Sequence, residues 1–121
     1  MIRIAAAGDI HASDATRDRV LSAFDRVADE ADVILLAGDL TTTGEPEQAE
    51  ILADACRDLQ IPVFTVLGNH DYHAGRADDI RAVLEEVGVR VLDRSWRSCE
   101  IAGLQLGVVG TKGFVGGFPG S

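Results

Sequence analysis

Asp9, His11, Asp39, Asn69, His70 and Asp71 are the residues of this 121-residue chain whose types and spacing could do chemistry. Asp9, Asp39 and Asn69 each directly follow a glycine, and they fall thirty residues apart. Asp9 and His11 are expected to alternate along an extended segment, so both can face one side and bind one cation. Asp39 has two carboxylate oxygens to share, so it can bridge two cations. Asn69 offers an amide carbonyl oxygen, a neutral hard ligand suited to a second ion. Mixed imidazole, carboxylate and amide ligation suits Mn, Fe or Zn better than a thiolate-loving metal. Two such ions held close together activate water and stabilise both oxygens of an in-line displacement at phosphorus. His70 is then placed to protonate a leaving oxygen or to stabilise developing charge, with Asp71 orienting its imidazole through a hydrogen bond. Singly these signals are weak, since a Gly-Asp after a strand is most often a turn. His73 reads as a loop histidine near the mouth of the same site.

The elements that must position these residues follow from hydrophobic patterning. Each glycine closes a short apolar run, over residues 2–7, 33–37 and 63–67. The spacing predicts helices over 15–31, 45–59 and 78–87, with apolar residues recurring every three or four positions. Strands separated by helices pair in parallel, which brings all three tips to one edge, where open α/β sheets bind ligands. Residues 89–92 read as another short strand. Segments 98–102 and 104–109, joined at Ala102-Gly103, read as a hairpin. The glycine-rich stretch 110–121 reads as a loop. The expected fold is α/β, a mainly parallel sheet with flanking helices and a C-terminal hairpin, in a single domain over 1–121.

The net charge of −9, from 20 acidic and 11 basic residues, argues against sequence-independent nucleic-acid binding. It leaves room for an enzyme that handles phosphates through bound cations. No apolar run approaches the ~20 residues that cross a bilayer. The N-terminus enters a strand without a signal-peptide apolar region, so a cytoplasmic location is expected. Cys56 and Cys99 belong to no CxxC pattern and read as reduced thiols, one on a helix and one in a strand.

The ordered set Gly8-Asp9-Ile10-His11, Gly38-Asp39 with its threonine-rich continuation, and Gly68-Asn69-His70-Asp71 resembles the calcineurin-like metallophosphoesterase family. The resemblance implies a two-sheet α/β sandwich and hydrolysis of a phosphoester, a nucleotide among the candidates, by water activated at two divalent metal ions. It implies Asp9 and His11 as ligands of the first ion, Asp39 as the bridge, and Asn69 as a ligand of the second. His70 then matches the catalytic imidazole and Asp71 its partner. A haloacid-dehalogenase-type phosphatase is disfavoured, because its Asp-x-Asp is here Asp9-Ile10-His11.

One departure limits the match. The family completes its metal site with a further histidine and a Gly-His-x-His segment. The three histidines here are His11, His70 and His73, and none follows residue 73. The sequence is thus expected to be the N-terminal half of such a domain, with an incomplete dimetal site and weak turnover alone. The alternative is a non-catalytic half-domain that binds metal or a protein partner. A further alternative is a doubly wound binding domain whose loop carboxylates coordinate nothing. A half-sandwich should also expose apolar surface and self-associate through it.

Overall fold

In the computed structural model, which describes residues 1–113, the three apolar runs form parallel strands. They are β1 (Ile4–Ala7), β2 (Val33–Ala37) and β3 (Val63–Val66). A fourth, β4 (Arg90–Val91), joins β3 in the same direction and gives the order β1-β2-β3-β4. Ala7 sits beside Leu36 and Ala37 beside Val66, so the carboxyl ends of the strands line up. The crossovers carry α1 (Arg17–Ala28), α2 (Pro46–Cys56) and α3 (Ala77–Glu86). With strands added in consecutive order, right-handed crossovers put every helix on the same face.

The period-two alternation of the strands sorts their residues between two cores. Ile34, Leu36, Val63 and Val91 meet Phe24 of α1, Leu52 of α2 and Leu84 of α3. The intervening Val33 and Phe64 face the opposite side with Leu92. That second side receives the hairpin of β5 (Ser95–Ile101) and β6 (Leu104–Gly110), from which Cys99, Ile101, Leu106 and Val108 pack inward. The turn has Ala102 at φ 52° and Gly103 at φ 79°. Two left-handed residues in succession are what a two-residue hairpin loop requires.

Element boundaries shift from the sequence expectation for local reasons. The helix expected over 15–31 opens with a 3₁₀ turn, Asp14–Thr16, and ends at Ala28. There the N–H groups of Glu30 and Ala31 both turn back to the Val27 carbonyl, at 3.0 and 2.9 Å. The second helix stops at Cys56, and Leu59 closes a turn onto the Cys56 carbonyl. The hairpin is longer than 98–109, because pairing continues to Ser95 opposite Gly110. Gly110 therefore ends a strand, and the rest of the expected loop beyond Gly113 lies outside the described residues.

Cys56 and Cys99 are both free, on α2 and β5 respectively. Burial pushes the Cys56 thiol up to about 12. The hairpin lies over β3, and among the described residues none covers the β1 side of that face. A groove of about 600 Å³ results, lined by Ala6, Ala7, Leu35, Ala37, Val66 and Val108 among others. Among the described residues, no helix is long and apolar enough to cross a membrane.

Leu52 is fully buried where the helices meet the sheet, whereas the Trp96 side is 68% exposed. Leu52→Ala should cost about 2–5 kcal/mol, from lost transfer energy plus the cavity left behind. Trp96→Ser should stay within about 0.5 kcal/mol, as surface changes do. Urea titrations of both variants check the contrast.

Candidate metal centre

The β1–β2 pairing does not stop with the strands. The N–H of Asp9 reaches the Gly38 carbonyl at 3.3 Å, and the N–H of His11 reaches that of Asp39 at 2.9 Å. Ala12 then bonds the Leu40 carbonyl at 2.8 Å and forms a parallel bridge with Thr41. The first two tips are therefore one hydrogen-bonded unit. Within it Asp9, His11 and Asp39 adopt φ of 54°, 48° and 51°. Left-handed backbone costs a non-glycine residue about 1–3 kcal/mol and persists where the surroundings impose it. This corrects the expected extended segment at Asp9 and His11. The two side chains still converge, with His11 Nε2 3.7 Å from Asp9 Oδ1, but through left-handed turns rather than strand alternation.

The third tip is a 3₁₀ turn, Asn69–Tyr72. Asp71, fully buried, accepts the N–H of Leu40 at 3.1 Å, that of Thr41 at 2.9 Å and that of Gly68 at 2.9 Å. The Thr41 hydroxyl adds a fourth bond at 2.8 Å. The expected hydrogen bond from Asp71 to the His70 imidazole is replaced by these four. Consecutive residues of a tight turn point apart, so Asp71 goes inward as His70 goes out. The partner of His70 is instead the Thr42 carbonyl, 2.8 Å from Nδ1. A carbonyl only accepts, so Nδ1 carries the proton and Nε2 is left free. Sequence reasoning missed Thr41 and Thr42 as supports, although the run Thr41-Thr42-Thr43 was the available signal.

Donor atoms of His11, Asp39 and His70 all lie within 4.8 Å of one another, each residue half-buried. Imidazole and carboxylate donors at this spread suit one divalent ion or a close pair, so the donor set fits such a cofactor. The His11 ring meets that of His70 edge-on, with centroids 4.6 Å apart. The backbone N–H of His70 donates to Asp39 Oδ1 at 3.0 Å, which fixes the carboxylate. Asp9 stands outside this trio, its side chain 78% exposed. Asn69 lines an adjoining crevice with Asp39. His73 stacks on His70 at 4.7 Å and extends the imidazole row outward. Gly68 is required here because any Cβ would fall on the Asp39 backbone nitrogen and carboxylate.

The family model described as calcineurin-like phosphoesterase matches residues 2–117. A protein of Aquifex aeolicus (strain VF5), named as an uncharacterized metallophosphoesterase, is 32% identical over 95 residues. That match takes in 75% of this chain and 36% of the Aquifex protein, so the chain spans little more than a third of the relative's length. The chain belongs to the calcineurin-like phosphoesterase family.

Asp71→Asn turns an amide NH2 toward backbone N–H groups that need an acceptor. It should destabilise the metal-free chain by about 3 kcal/mol, the scale of a buried polar group left unsatisfied. Urea denaturation in chelator checks this, and unchanged stability would return Asp71 to a purely chemical role.

Proposed function

We propose that this chain supplies a metal centre for hydrolysis of phosphomonoesters or phosphodiesters, nucleotides included. The meeting of His11, Asp39 and His70 donors at the carboxyl edge of one parallel sheet carries this reading. Divalent cations there, Mn, Fe or Zn by donor type, would supply Lewis acidity and an activated water. Asp9 and His11 would hold one ion and Asn69 the other, with the Asp39 carboxylate available to both. The Thr42 carbonyl holds the His70 ring at Nδ1 in both its neutral and its charged form. His70 can therefore gain and lose a proton at Nε2 without turning, as a group that protonates a leaving oxygen must.

One feature favours a second reading, a metal-binding module without turnover. His70 belongs to the donor trio, and an imidazole that ligates through Nε2 cannot deliver a proton from that atom, while its Nδ1–H stays on the Thr42 carbonyl. Hydrolysis of bis-p-nitrophenyl phosphate with added manganese separates the two, with metal content measured alongside. His70→Ala should lower the rate about 100-fold, the usual worth of a positioned acid. Asp39→Asn should lose both rate and bound manganese. Equal rates in the three proteins end the catalytic assignment; equal rates with manganese bound by the parent and lost in Asp39→Asn leave the binding module standing.

The exposed apolar surface supports self-association as a companion proposal. Trp96 and Val109 form an exposed cross-strand pair on the outer face of the hairpin, and the groove beside β1 is apolar. Sedimentation velocity should show mass rising with concentration. A monomer at every concentration overturns the proposal.

A further inference from the structure

Ten of the eleven basic side chains in this sequence are arginine, and Lys112 is the one lysine. It stands just past β6, half-buried, in the wall of the crevice that holds Asp39 and Asn69. That crevice has a volume of about 280 Å³, and Lys112 is its one cationic side chain among the described residues. Most arginines near carboxylates are spent on ion pairs, such as Arg17 and Arg57 on Asp54. Lys112 makes no ion pair among the described residues. Its Nζ bonds the Gly113 carbonyl at 3.2 Å and lies 5.6 Å from the centre of the Tyr72 ring. A cation held over an aromatic face is positioned without being neutralised. An ammonium has three donors, so two remain for a ligand. Tyr72 belongs to the same 3₁₀ turn as Asn69 and His70, which couples the lysine to the candidate centre.

We propose that Lys112 is the substrate-recognition residue of this site, binding the non-bridging phosphoryl oxygens of a phosphoester seated in the Asp39–Asn69 crevice. The proposal rests on the phosphoester reading above and adds the group that selects for the anion. A site built on carboxylates repels phosphate until cations enter it. The Lys112 ammonium, resting over Tyr72 beside the crevice, draws the anion in and orients it while leaving the metal donors free. The lysine is suited to this as a point charge on a flexible stem.

The single lysine makes the test clean. Reductive methylation of the intact chain with 13C-formaldehyde retains the charge and one N–H donor at Lys112, and leaves two reporters, Lys112 Nζ and the Met1 amine. Manganese should broaden the Lys112 signal more than that of Met1. Inorganic phosphate, titrated in the presence of magnesium, should shift Lys112 saturably and leave Met1 in place. By calorimetry, Lys112→Gln should weaken phosphate binding about tenfold, as expected for loss of a charge-assisted bond, and Lys112→Arg should restore most of it. A lysine signal that phosphate leaves unmoved, or a Lys112→Gln chain that binds phosphate as tightly as the parent, overturns the assignment. If manganese broadening persists in that case, the metal centre stands without the lysine. If neither manganese nor phosphate perturbs the signal, the metal centre falls with it.

Discussion

The buried carboxylate of Asp71 is the constraint on which the edge carrying His11, Asp39 and His70 depends. Three loops leave the sheet at that edge, and each carries backbone N–H groups with no partner in the strands. Asp71 takes those of Leu40, Thr41 and Gly68, from the loops after the second and third strands. The first loop is bound to the second through the Ala12–Thr41 bridge and the His11–Asp39 hydrogen bond. One side chain thus gathers the second and third tips directly and the first at one remove. Buried backbone donors must be satisfied somewhere. Here their satisfaction is also what brings His11, Asp39 and His70 together.

The same economy governs the rest of the molecule. Strand alternation sends Ile34 and Leu36 to the helices and Val33 and Phe64 to the hairpin, so one thin sheet supports two cores. The hairpin has a further consequence for the site, since β6 delivers Thr111 and Lys112 to the crevice beside Asp39. At the far end of the sheet, the backbone N–H and guanidinium of Arg3 hold the Asp32 carboxyl below the usual carboxylate range. That contact fastens the start of the edge strand to the turn before β2.

The parallel strands were legible because continuous apolar runs ending in glycine have few other interpretations. The residues at the tips were legible because three Gly-polar steps in one order, thirty residues apart, resemble the motifs of a known family. Helix ends were less so, since they depend on where individual N–H groups find carbonyls, as Glu30 and Ala31 do at Val27. The early start of the hairpin was hidden because Ser95, Trp96 and Arg97 carry no apolar alternation. The adjacency of His70 and Asp71 reads as a proton-transfer pair, and the turn sends the two in opposite directions. The support for His70 is a main-chain carbonyl, which no side-chain identity announces.

The left-handed backbone at Asp9, His11 and Asp39 marks where folding and chemistry want different residues. Glycine would relieve the strain at all three positions, so selection for stability alone drives each of them toward glycine. A stabilising screen run without regard to the site would therefore dismantle the donor set early while reporting steady improvement. Conversely, aspartate and histidine in these conformations keep carboxylate and imidazole donors at the edge and leave the scaffold below its attainable stability.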